Sequence, residues 1–172
     1  GNQAIDSNGT TSYPLLIGNW DSSNQTFTMV NPLSMLQLTL STPNSESYEY
    51  TLTSIAIKSN NSEKISGDVT LNTTEAVAKV KDSGVDEIYI PCSNIKIGKQ
   101  GTVVTIFIPQ QLYSKGFKAT IACTEGTMQT NILEGGVDAT NKSVIEAEQE
   151  IILEKSEVFV SPVRATDSTI AI

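Results

Sequence analysis

The chain holds no histidine, and that absence removes much of the chemistry a domain of 172 residues could otherwise carry. Without an imidazole there is no Ser-His-Asp or Cys-His nucleophile, no histidine-bearing zinc site and no histidine general base. Carboxylates remain. Asp82, Asp86 and Glu87 fall together in the segment KDSGVDE, where they could form a glycosidase pair or a calcium site. An EF-hand loop needs acidic ligands at fixed alternating spacing, a central Gly and a closing Glu, which this segment does not supply. A solvated acidic loop is the reading its composition favours. Cys92 and Cys123 are too few for a cysteine-only metal site. Gly98 and Gly101 flank Lys99 between strands with no helix following, so they make no phosphate loop. No catalytic residue, metal ligand or cofactor is therefore expected, and the chain reads as non-enzymatic.

Stacking against a sugar ring is the other chemistry the residue types allow. Trp20, Tyr48 and Tyr50 are the candidates, and the competing reading of Trp20 is a large aromatic closing one end of a core. Asn-x-Ser/Thr triplets occur at Asn8, Asn24, Asn60, Asn72 and Asn141, as chance allows in so Asn- and Thr-rich a chain. The net charge of -8 and the scatter of ten Lys and Arg164 exclude a nucleic-acid footprint and a polybasic membrane contact. No apolar run reaches the roughly 18 residues a spanning helix needs. Gly1 to Ala4 reads as the start of a chain whose targeting segment, with any lipid anchor, lies upstream.

The elements that must position these residues are strands. Hydrophobic residues at 38%, charged residues at 17% and abundant Ser, Thr and Asn suit an exported β-protein with hydroxyl-rich outer faces. The segment from Asn31 to Asn72 alternates apolar and polar residues at the period of a half-buried sheet, with Leu36, Leu38 and Leu40, then Ile55 and Ile57, then Val69 and Leu71 facing the core. The loop Pro43 to Ser47 suits an antiparallel connection between its first two strands. Tyr48, Tyr50 and Leu52 occupy even positions whereas Ile55 and Ile57 occupy odd ones, which predicts a β-bulge near Thr53 and Ser54.

Around that stretch, Asn2 to Ser12 has little to bury and reads as a flexible lead-in (residues 1–12), followed by a single domain over 13–172. Tyr13 to Ile17 is a short candidate strand, Gly18 to Gln25 a turn region carrying Trp20, and Asp86 to Cys92 a further strand. Thr102 to Pro109 is apolar on both phases, as a central strand covered on both sides would be. Gly116 to Thr124 and Thr127 to Leu133 read as a hairpin turning at Glu125 and Gly126. Ser143 and Glu146 make a capping-box pattern, but the apolar and acidic alternation from Ile145 to Leu153 favours strand over helix. Cys92 and Cys123 both fall on the apolar phase, so both are expected to be buried, either as free thiols or facing one another in a disulfide.

The segment SIAIKSNNSEKISGDVTLN (Ser54 to Asn72), with MLQLTL just upstream, resembles the fimbrillin-like surface proteins of the Bacteroidetes. In that family a hydrophobic-x-hydrophobic triplet leads into a polar turn and a "G-[DT]-hydrophobic-T" strand. The resemblance extends with gaps to about Leu153, through IFIPQQLYSKGFKATIACTEGT. It implies an all-β, antiparallel β-sandwich of transthyretin-like or immunoglobulin-like Greek-key character, exported to the cell surface as an outer membrane lipoprotein. It implies a role in cell adhesion, as a pilus (fimbrial) subunit, anchor or adhesin whose partners are other pilus or surface-protein subunits and a host or glycan ligand. The alternative is a carbohydrate-binding module of a surface glycan-capture system. Proteins of that family generally carry two such sandwiches, whereas this chain supplies one.

The end of the chain offers a candidate for joining subunits. Pro162 breaks a first short run, after which Ala165 opens a segment with Thr166, Ser168, Ile170 and Ile172 on one phase. Members of the resembled family polymerise when a terminal strand of one subunit fills a groove in the next, exposed by cleavage after an Arg near the N-terminus. Arg164 is the one arginine here and lies near the other end. The segment from Ala165 to Ile172 is thus expected to pair as a strand, within its own chain or with a neighbour.

Overall fold

Alternating apolar and polar residues become strands throughout the computed structural model, which describes residues 3–12, 15–147 and 149–154. In chain order they are β1 (Ala4–Ile5), β2 (Thr11–Ser12), β3 (Ile17–Asp21), β4 (Thr26–Val30), β5 (Leu33–Ser41), β6 (Tyr50–Ser59), β7 (Val69–Asn72) and β8 (Val77–Val80). There follow β9 (Glu87–Ile97), β10 (Thr102–Pro109), β11 (Leu112–Tyr113), β12 (Phe117–Cys123), β13 (Gly126–Ile132), β14 (Val137–Asp138), β15 (Val144–Glu146) and β16 (Ile151–Ile152). A six-stranded sheet runs β13-β12-β6-β9-β1-β2, and a four-stranded one sets β5 between β10 and the pair β15 and β16. Most pairings are antiparallel; β1 on β9, and β15 and β16 on β5, are parallel.

The molecule is a β-sandwich because each sheet has one apolar face to hide. Leu36, Leu38, Leu40, Ile106 and Ile108 of the smaller sheet share one buried cluster with Ile55, Ile57, Ile90 and Ile121 of the larger. Each such side chain contributes about 1.5–3 kcal/mol by leaving water. Two residues expected in that cluster are elsewhere: Val69 and Leu71 are 39% and 42% exposed. They face Val80 and Ala78 across a separate two-stranded ribbon. There β8 packs along β10 and buries those partners, while β7 lies one strand further out and loses the cover.

The loop after β5 makes no hairpin, contrary to its length and composition. Both edges of β5 are taken, by β10 on one side and by β15 and β16 on the other, so residues 42–49 carry the chain across to the second sheet, about 10 Å away. Thr42 anchors the crossing, its N–H donating to the Gly98 carbonyl at 3.3 Å. The predicted bulge is present. Against β12, Ser54 pairs with Ala122 and Leu52 with Cys123, which leaves Thr53 as the extra residue. β9 slips with it: Leu52 faces Ile95 and Ser54 faces Pro91, and between them Asn94 takes a φ of 52°. Tyr50 and Leu52 before the slip and Ile55 and Ile57 after it are all buried.

Other expectations meet mixed outcomes. β12 and β13 form the predicted hairpin, but its turn is Thr124 and Glu125, one residue earlier than expected, with Gly126 already paired to Cys123. β15 and β16 are strands, with Ile145, Ile151 and Leu153 buried, so alternation outweighs the capping-box pattern. β10 is an edge rather than a central strand, and Val103 on its outer phase is 50% exposed. Trp20 lies within a strand, β3, rather than in a turn.

Candidate interaction interface

The two sides of the sandwich, where the edges of its sheets meet, are built differently. On one side the N-terminal segment closes the mouth. Ile5 is fully buried and pairs with Cys92 of β9, which joins the segment to the larger sheet. Gln3 joins it to the smaller one: its side-chain amide donates to the Phe107 carbonyl at 2.6 Å and accepts from the Phe107 N–H at 2.8 Å. One side chain thereby makes both bonds that a neighbouring strand would offer β10 at that residue. The Thr11 hydroxyl adds a bond to the Thr105 carbonyl. Gly9, at φ 79°, fits where any Cβ would stand 2.6 Å from the Val103 carbonyl oxygen. The reading of this segment as a lead-in with little to bury is corrected by Ile5 and Gln3. No sequence signal marks Gln3, a polar residue in a polar stretch.

Among the described residues, no segment closes the opposite side. That side is bounded by β13, the last strand of the larger sheet, and by β15 and β16. A cavity of about 400 Å³ lies between these edges. Its apolar lining includes Met128, Ile132, Leu133, Ala147 and Ile151, while Glu134, Glu150 and Glu154 bring carboxylates to it. An edge strand presents alternate N–H and C=O groups without ladder partners, so among the described residues this side offers backbone edges beside a hollow of mixed polar and apolar lining. Ala165, Thr166, Ser168, Ile170 and Ile172 lie outside the described residues.

The three aromatics singled out for sugar stacking do not share a face. Tyr50 is 5% exposed in the core, with the ring of half-buried Tyr48 edge-on to it at 5.2 Å. Trp20 is 58% exposed and projects from the β3–β4 hairpin, where it faces Phe27. It therefore closes no core. Phe27 reaches over Gly18, where a Cβ would come within 2.2 Å of its ring. Every residue of β4 is exposed, so this ribbon is apolar on its Trp20 face yet packs chiefly on itself.

Cys92 and Cys123 are free thiols. β6 runs between their strands, which sets them roughly 9–10 Å apart, beyond the reach of a disulfide. Burial pushes Cys92 up to about 11, and burial with nearby Glu125 pushes Cys123 up to about 12. Cys123 is only partly buried, which corrects the expectation for that residue. Of the acidic trio, Asp82 is exposed and Asp86 pairs with Lys58 at 4.0 Å. Among the described residues the carboxylate most engaged by donors is Glu63, which accepts from Ser59, from Asn61 at 3.2 Å and from the N–H and hydroxyl of Ser114, both at 3.0 Å. Those bonds tie the loop after β6 to the turn before β12.

No protein-family model matches the chain, and no curated protein matches it. A crystal structure of a putative cell adhesion protein from Bacteroides ovatus is similar over 66% of this chain, at 12% identity and a TM-score of 0.45. This chain spans 38% of the length of that one. At that identity and TM-score the likeness carries neither architecture nor activity across.

Proposed function

We propose that this chain is a non-enzymatic cell-surface protein, a pilus subunit, anchor or adhesin, that joins its neighbours by β-strand addition at the side of the sandwich opposite the N-terminal segment. The observation that carries the reading is the asymmetry between the two sides. One is sealed by Ile5 and Gln3, while on the other, among the described residues, β13 and β16 border a cavity of about 400 Å³ with both polar and apolar lining. A strand laid there would gain backbone hydrogen bonds along an edge and place alternate side chains in the hollow. Ala165 to Ile172 supplies that pattern, with Ile170 and Ile172 on the phase of Thr166 and Ser168. Eight residues extend about 26 Å, ample for a sheet edge of ordinary length. Export to the outer membrane as a lipoprotein follows from this reading and from the sequence resemblance, and belongs to the same proposal.

The experiment compares the full chain with one ending at Arg164, by light scattering across a concentration series and by thermal denaturation. A peptide of residues 165–172 is then added to the truncated chain. We expect truncation to lower the melting temperature or abolish self-association, and the peptide to bind and restore stability. An unchanged melting temperature and oligomeric state, with no peptide binding, would remove strand donation from consideration.

A further inference from the structure

The outer face of the larger sheet carries an arrangement that strand addition does not use. In β9, Glu87, Tyr89 and Pro91 point outward while Ile88 and Ile90 point to the core, and Tyr89 is 65% exposed. Its partner across the ladder is Ala56 of β6, and the same row continues through Thr120 of β12 to Gln129 of β13. A small residue beside an aromatic leaves the ring face open. The hydroxyl and amide further along, bonded to each other at 3.3 Å, set donors and acceptors at the level of the sheet. The adjacent row reads Glu87, Lys58, Lys118, Asn131.

That second row is electrostatically uneven. Lys58 and Lys118 stand directly opposite each other, and like charges so placed are unfavourable in themselves. Lys58 is answered by Asp86 at 4.0 Å and by Glu87 across the ladder. Lys118 has no ion pair among the described residues, and Glu134, beyond Asn131, is engaged by the Asn131 amide at 2.9 Å. In a chain of net charge -8, an exposed cation set beside another cation and left without a carboxylate marks a place for an outside negative charge.

We infer that this face binds an oligosaccharide bearing a carboxylate. A sugar ring lies on Tyr89, its hydroxyls meet Thr120 and Gln129, and the carboxylate pairs with Lys118. From strand spacing and rise, Tyr89 and Lys118 stand about 12 Å apart, a separation suited to a short oligosaccharide rather than a single sugar. The site lies on a sheet face rather than an edge, so it stands or falls independently of strand addition.

Titration calorimetry on the full chain tests it, with sialyllactose and trigalacturonate as acidic probes and lactose and cellotriose as neutral comparators; the two acidic arms separate sialic from uronic sugars. We expect at least one acidic probe to bind about tenfold or more tighter than its neutral counterpart and to weaken as salt is raised. Tyr89→Ala and Lys118→Ala should each weaken it about tenfold while Tyr89→Phe retains it. All these positions are exposed, so melting temperatures should match the wild type; if an alanine variant unfolds, Tyr89→Gln or Lys118→Gln takes its place. Absence of binding to both acidic probes, equal binding of the neutral ones, full binding by the Tyr89 and Lys118 variants, or self-association through Tyr89 would each overturn the inference.

Discussion

Glu63 shows how far one side chain can reach in this molecule. Burial raises its pKa, but the bonds from Ser59 and Ser114 outweigh that and hold the carboxyl at about 2, below an ordinary value of 4.5. A folded-state pKa below the unfolded one means stability that is full above about pH 4.5 and is lost as pH falls toward 2. Glu63→Gln should therefore lower the melting temperature at pH 7 by about 2–4 °C, a modest loss because the group is partly solvated. The gap between variant and wild type should close near pH 2, and equal melting temperatures at pH 7 would show that the network holds nothing. The thiols give a second residue-level prediction. With both deprotonations suppressed by burial, a thiol reagent at pH 8 should modify part-buried Cys123 slowly and buried Cys92 more slowly still, with both reacting fast in denaturant. Rapid and equal labelling of the native protein would contradict these placements.

Among the elements, β6 carries a one-residue slip in its buried phase. Deleting Thr53 would put Tyr50, Leu52, Ile55 and Ile57 on one alternating phase, so a strand without the bulge would still bury all four, and what it would lose is register with the matching irregularity of β9. The expected outcome is a variant that still folds, at a cost within about 3 kcal/mol. Thr53→Ala forfeits only the 3.0 Å bond to the Ala122 carbonyl, about 1 kcal/mol. A deletion variant that fails to fold would show that the bulge does more than repair the phase. The β3–β4 ribbon gives a separate test: Trp20→Ala should leave the melting temperature nearly unchanged, because that ring is 58% exposed. A fall of about 5 °C or more would mean that it packs on something.

At the scale of the whole molecule, the N-terminal segment ties the two sheets together along one side. Gln3→Glu replaces the amide donor with a carboxylate facing the Phe107 carbonyl while keeping the side chain's length. It should cost about 1–3 kcal/mol and leave the edge of β10 less well guarded. Chemical denaturation measures the cost and light scattering any new association. A variant as stable as the wild type would show that Gln3 is incidental to closure.

Local alternation determined much of this protein. Leu36, Leu38 and Leu40 in β5, and Ile106 and Ile108 in β10, announce their buried faces because strand side chains repeat every two residues and water drives the apolar set inward. The bulge at Thr53 was legible for the same reason, as a break in phase, and Tyr89 could have been found as an aromatic on the outward phase of β9. Partnership was not legible. A strand's phase is the same whichever neighbour completes its ladder, and backbone hydrogen bonds carry no residue identity. Only the tertiary structure could therefore place β5 and β6 in different sheets, set β6 between Cys92 and Cys123, and leave Val69 and Leu71 beyond the cover of the core. The closed side was decided there too, because the clamp of Gln3 on Phe107 joins residues 104 positions apart.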